Sequence, residues 1–185
     1  MGAEKQSLEL ISSLNELISA LESGYYQEAL NQSYDLNVSE SEIANYTSWN
    51  KSRYTRNCIA RNRDFELILL CWEEGQKTAI HSHNQQECWV KVIQGNFAEY
   101  LYEYDDVNNR MNPTNEVYVA QNEVTTIEDS NTYHSLENTY KGRSISLHLY
   151  MKPIVKCNVY NQATNQLECK YLTYDTFEGE VFIKS

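Results

Sequence analysis

The chain opens in one hydrophobic period and continues in another. Between residues 8 and 21, Leu10, Ile11, Leu14, Leu17, Ile18 and Leu21 recur at helical spacing, which predicts an amphipathic helix lying on a core. Ser39-x-x-Glu42 ahead of Ile43 and Ala44 has the form of a capping box and predicts another short helix. From about Tyr54 the period shortens. Strands are expected over 65–72, 88–93, 97–104, 117–120, 144–150 and 167–174, with Gly, Asn and Asp between them. Helices followed by evenly spaced short strands imply a mainly β fold, a small barrel or two-sheet jelly roll with N-terminal α-helices. The length of 185 residues suits a single domain over 1–185, with 1–50 as a helical flank and 54–177 as the barrel core. Ligands and metals usually sit in the mouth of such a barrel.

Composition narrows the partners. A formal charge of −11 repels nucleic acid and anionic membrane surfaces, so neither is expected as a partner. No apolar run reaches the length of a membrane span, and the first residues lack the apolar core of a signal peptide; a cytoplasmic protein is expected, and a monomer. Five cysteines, none in a Cys-x-x-Cys, read as free thiols in a reducing compartment. Fifteen tyrosines against four phenylalanines suit half-buried strands, where a ring packs and its hydroxyl finds a partner.

The four histidines carry the chemistry. Two of them stand in the string Gly75-x5-His81-Ser82-His83-x4-Cys88-x6-Gly95, the third in His134-x3-Asn138 and the fourth in Ser146-Leu147-His148-Leu149-Tyr150. Histidines two apart on a strand project to one face, so one ion can bridge them, and His134 from a distant strand completes a triangle. Three imidazoles on one face leave the opposite positions of an octahedral ion open. Such ligands are neutral and leave the ion its full charge, which favours an anionic substrate ligand such as a thiolate. Imidazoles equally suit zinc, nickel, copper and iron.

The Gly-x5-His-x-His-x4-Cys-x6-Gly string resembles the first cupin motif, with Cys88 where most cupins place a glutamate, and His134-x3-Asn138 is similar to the second. Together with Tyr54-Thr55-Arg56-Asn57, Leu70-Cys71-Trp72, Gln94-Gly95-Asn96 and Ser146-x-His148-x-Tyr150, the pattern resembles the cysteine dioxygenase family, the type I thiol dioxygenases, from about Tyr54 to Phe177. The resemblance implies a cupin barrel with mononuclear Fe(II) that converts free L-cysteine and O2 to cysteine sulfinic acid, a step of cysteine catabolism and taurine biosynthesis. It implies His81, His83 and His134 as metal ligands and a thioether crosslink between Cys88 and Tyr150. It implies Arg56 and Tyr54, with His148 and Tyr150, at the substrate. Tyr150, Cys88, His148 and Ser146 are its catalytic group, and Cys157 stands near the pocket mouth. Other small thiols (3-mercaptopropionate, cysteamine) are the alternative substrates, and a non-catalytic metal-binding cupin is the alternative class.

The residues support parts of this independently. Ser146, His148 and Tyr150 alternate, so they share one strand face opposite Ile145, Leu147 and Leu149, and an inward hydrogen-bonded relay ending on Tyr150 is expected. A planar guanidinium binds a carboxylate in bidentate fashion, although from sequence alone Arg56 fits a solvated surface arginine equally well. Two positions depart from the pattern. Glu87 precedes Cys88, and only one of the two can face inward. Met151-Lys152-Pro153 stands where mammalian-type members have Ser-Pro-Pro with a cis bond before the first proline; Lys152 takes that proline's place and puts the cis bond in doubt.

Overall fold

The computed structural model describes residues 10–83, 86, 88–127 and 132–181. The chain forms two compact units, Met1–Ala44 and Asn45–Ser185. The first holds α1 (Leu14–Glu22), α2 (Tyr26–Ser33) and α3 (Glu40–Ile43). Helix α1 starts later than the apolar spacing predicts. Ser13 takes extended geometry and accepts from Glu16 N at 3.2 Å, while the Glu16 carboxylate accepts from Ser12 N at 2.7 Å, so the cap outweighs the stripe. Leu10 is exposed, and residues 8 and 9 lie outside the described residues. The expected capping box is present: Glu42 Oε2 accepts from Ser39 N, and its other oxygen accepts from Leu14 N at 2.8 Å, tying α3 to the start of α1. Helix α2 has no readable stripe, since only Ala29 and Ser33 of its eight residues are buried.

Among the described residues of the second unit, the strands are β1 (Thr55–Arg61), β2 (Glu66–Trp72), β3 (Cys88–Gln94), β4 (Phe97–Asp105), β5 (Arg110–Val119) and β6 (Val124–Ile127). They continue as β7 (Tyr133–Asn138), β8 (Ser144–Tyr150), β9 (Lys156–Asn161), β10 (Gln166–Tyr171), β11 (Thr176–Phe177) and β12 (Glu180–Val181). Seven form one sheet in the order β12-β11-β1-β2-β8-β3-β6, three form β5-β4-β7, and β9 pairs with β10. The chain is mainly β with helices at its N-terminal end, as the period change predicts. The central strands β2 and β8 are buried along their whole length on both faces, so their apolar runs read as strands without clean alternation.

The inner faces of the two larger sheets meet in one cluster: Ile68, Leu70 and Trp72 from β2, Val90 and Val92 from β3, Phe97 from β4, Leu136 from β7 and Tyr150 from β8. Two of the sequence signatures close its ends. Gly95 turns β3 into β4 at φ +82, and a Cβ there would sit 1.9 Å from Ser144 Oγ and 2.8 Å from Ser144 Cβ. Asn138 fills all four of its hydrogen-bond positions: Nδ2 donates to Glu73 O and Gly142 O, and Oδ1 accepts from Ser144 Oγ and Tyr140 N. The asparagine of the second motif is therefore a brace at the end of β7. Gly95→Ala should cost about 1–3 kcal/mol by forcing both a left-handed alanine and a shift of Ser144, read as a lower urea midpoint at unchanged slope.

Candidate metal centre

His81 and His83 do not stand on a regular strand. His81 makes isolated bridges to His134 on β7 and to Val159 on β9, and His83 follows without regular structure. The bridge does what the expected strand would have done. His81 N donates to His134 O and His134 N to His81 O, each at 2.9 Å, so the two residues are a directly opposed antiparallel pair. Their side chains emerge on one face, and His83, two residues on, joins them. One nitrogen from each ring lies within 4.8 Å of the others.

The ring contacts assign the nitrogens. His81 Nδ1 lies 3.0 Å from Ala79 O and His134 Nδ1 lies 2.7 Å from Glu99 Oε1, so both Nδ1 atoms carry the proton and both Nε2 atoms are free to ligate. His83 Nε2 faces His134 Nε2 at 3.0 Å, so the two ring nitrogens converge. Burial first, and then the neighbouring His134, lower His81 to about 3 and His83 well below the ordinary imidazole value. A cluster of three imidazoles with converging nitrogens fits a transition-metal ion.

A cavity of about 640 Å³ opens onto this cluster, lined by His81, Arg56, Tyr54, Tyr150, Ile154 and Cys157 among others. Arg56 reaches it from β1, held at the backbone by Arg56 N donating to Asp175 at 2.9 Å. Its Nε and Nη2 are buried and have no hydrogen-bond partner among the described residues. A fixed, unpaired guanidinium in a cavity is a receptor for an anion. Tyr54 stacks on Trp72 with ring centroids 4.5 Å apart, and burial raises its phenol above the ordinary value.

The structure brings the expected catalytic group together with one link missing. Trp72 Nε1 donates to Ser146 Oγ at 3.0 Å, and Ser146 Oγ lies 2.8 Å from His148 Nε2. All three side chains are inward, as the alternation predicts. His148 Nδ1, however, has no partner among the described residues, and its ring only stacks beside Tyr150 at 6.3 Å. The relay therefore runs Trp72–Ser146–His148 and stops short of the Tyr150 hydroxyl. Burial, then Arg56, keeps His148 neutral, and burial, then Cys88, drives the Tyr150 phenol far upward.

Cys88 and Tyr150 are directly opposed in the β3–β8 register. Cys88 belongs to the inner cluster, while Glu87 lies outside the described residues. Cys157 lines the cavity. After Tyr150, the described residues contain no cis peptide bond; Lys152 instead takes φ +96.

Two buried carboxylates escape a reading of the sequence. Glu99 reads only as part of a strand, and Glu66 merges into an apolar run. Glu66 is fully buried opposite Tyr150 in the β2–β8 register. It accepts from Tyr174 Oη and from Ile154 N at 3.2 Å, with Arg61 Nη1 at 3.8 Å. A charged residue at the head of an unbroken hydrophobic run is the signal that could have found it.

A two-sheet β-barrel with three converging imidazoles, two buried and His81 half-buried at the cavity, defines a metal-binding cupin. The family model described as cysteine dioxygenase type I matches residues 5–163, so it takes in the helical unit and ends short of Phe177. Cysteine dioxygenase type 1 of Rattus norvegicus is 33% identical over 175 residues, covering 92% of this chain and 86% of the relative, and that of Danio rerio is 31% identical over 177, covering 90% and 88%. The crystal structure of TT1209 from Thermus thermophilus aligns with a TM-score of 0.50 at 12% identity, covering 60% of this chain and 93% of that one, a likeness of fold alone. The chain belongs to the type I cysteine dioxygenase family and is a metal-dependent oxidoreductase of the dioxygenase class.

Burial raises the Glu66 carboxyl above its ordinary value of 4.5, with Arg56, Ile154 N and Arg61 opposing. The folded state thus binds the proton more tightly than the unfolded state. Its contribution is present below the unfolded value and is lost as pH rises through the folded one. Glu66→Gln, which cannot ionise, should gain melting temperature relative to wild type as pH is raised from about 5 to about 8. A difference that is flat or falls with pH would contradict this.

Proposed function

We propose that the chain oxidises the thiol of free L-cysteine to L-cysteine sulfinic acid, both atoms of O2 being added to sulfur, with Fe(II) held by His81, His83 and His134. The single observation that carries the choice of substrate is Arg56, whose buried guanidinium nitrogens lack a partner inside the cavity that His81 opens onto. A free amino acid carboxylate is the anion that completes them. Fe(II), when bound, supplies a Lewis-acidic, redox-active centre at which thiolate and oxygen are held together.

The chain's own residues do the rest. Arg56 and Tyr54 bind and orient the carboxylate end, and the Tyr54–Trp72 stack gives that wall its rigidity. Trp72 and Ser146 hold the His148 ring, and Tyr150 lines the substrate's other side, with His148 stacked behind it. Cys88, joined to Tyr150 as a thioether, fixes the phenol; while it remains a thiol, burial keeps it protonated and a poor ligand. Five cysteines without a disulfide support a reducing, cytoplasmic setting, and no helix among the described residues is long and apolar enough to cross a membrane. The enzyme is proposed to act as a monomer on cysteine and O2.

3-Mercaptopropionate keeps the carboxylate and loses the amine, and cysteamine does the reverse. With purified Fe(II)-loaded protein, oxygen uptake is expected with L-cysteine and little with cysteamine. Arg56→Ala should lower kcat/KM for cysteine roughly 10- to 100-fold, the worth of hydrogen bonds to a charged group, and leave the cysteamine rate nearly unchanged. Absence of uptake with cysteine defeats the proposal, and equal losses with both amines remove Arg56 from carboxylate binding.

The thioether has its own signature. Intact mass should fall by two hydrogens during aerobic turnover in wild type and stay constant in Cys88→Ala; a constant mass in both would rule out the crosslink.

A further inference from the structure

Glu99 has no place in the chemistry above, yet it is built into the metal centre. It lies inward on β4, two residues from the core Phe97, and only 2% of it is exposed. In the β4–β7 ladder Leu101 opposes His134 and Glu99 opposes Leu136, so Glu99 is the diagonal neighbour of His134. Both of its oxygens accept. Oε1 takes the His134 Nδ1 proton at 2.7 Å and Oε2 takes the Thr125 hydroxyl proton at 2.5 Å, with Thr125 brought in by the pairing of β6 with β3. Glu99 is not part of the cavity wall.

We infer that Glu99 is a positioning residue for the metal centre. Its carboxylate holds the Nδ1 proton of His134, aims Nε2 at the ion, and supplies from behind that ring the negative charge that two-histidine, one-carboxylate iron centres take from a direct ligand. This rests on the metal reading of the three histidines and deepens it. Moving the carboxylate behind His134 has a consequence for binding. A carboxylate in the cavity would repel a substrate that brings its own carboxylate and thiolate, whereas one screened by His134 strengthens that imidazole as a donor and leaves Arg56 unopposed.

The test uses metal binding rather than turnover. Co(II) affinity is measured by chelator competition for wild type and Glu99→Gln, which keeps an acceptor and removes the charge, alongside the Fe(III)/Fe(II) potential of each. Glu99→Gln should bind Co(II) about 10- to 100-fold more weakly, with a more positive iron potential and an apo-protein melting temperature near that of wild type. If wild type fails to bind Co(II), the metal reading itself falls. If wild type binds and Glu99→Gln matches its affinity and potential, the role of Glu99 falls and the metal reading stands. Should Glu99→Gln not fold, proton NMR of Co(II)-loaded wild type decides. A metal-shifted, slowly exchanging His134 Nδ1–H resonance is expected, and its absence overturns the inference.

Discussion

The reciprocal backbone pair between His81 and His134 is the constraint on which the site depends. It joins an irregular segment to the edge of the three-stranded sheet, and a second bridge from His81 carries that segment on to β9. Two imidazoles that are 53 positions apart in the chain are thereby placed on one face at the spacing of a single ladder rung. His83 needs only the two-residue period to follow. The cavity walls are then set by the same closure, because β9 brings Cys157 and β8, on the facing sheet, brings Tyr150.

What that closure buries decides the chemistry. His81, His83 and His148 are all held neutral by loss of solvent, and Cys88 and Tyr150 keep their protons for the same reason. The inward guanidinium of Arg56 is a buried charge that the proposed site presents to a ligand from its wall. A neutral histidine cluster beside an unpaired guanidinium selects a ligand that brings negative charge with it, which is the argument for an amino acid thiol. The Glu99 carboxylate is consistent with this economy of charge, since it acts on the centre from the far side of a ring.

Much of this is legible in the sequence because the signals are local. The helical-to-strand change of period at Tyr54 and the strand at 144–150 with its inward Ser146, His148 and Tyr150 follow from side-chain direction within one element. The reading fails where the deciding partner is remote in sequence. His134 is expected on a distant strand, but no strand range over 133–138 is legible, because its pairing lies with β4, remote in sequence. The His81–His83 segment reads as a strand because alternation looks the same in a bridged loop. The expected link from His148 to Tyr150 follows from shared face alone, and a shared face guarantees proximity without hydrogen-bond geometry.

The same distinction explains the segment after Tyr150, where this chain departs most from the mammalian-type pattern. Lys152 sits at φ +96 ahead of Pro153, a region that costs a residue with a side chain about 1–3 kcal/mol and that persists only when the surroundings over-determine it. Lys152 itself is exposed, but the chain that follows it is anchored in the core. Ile154, two residues on, donates its N–H to Glu66, and Glu66 is held in turn by Tyr174 and faced by Arg61. Both Ile154 and Cys157 line the cavity, so the strained turn is tied to β2 at the point where it becomes pocket wall. A carboxyl that burial itself destabilises when ionised is a costly anchor, and its cost is offset by backbone and phenol donors that no apolar residue at position 66 would engage. Glu66 thus stands to the pocket wall as Glu99 stands to the histidine cluster: each is a carboxylate outside the cavity, one bonded to the cavity residue Ile154 and the other to His134.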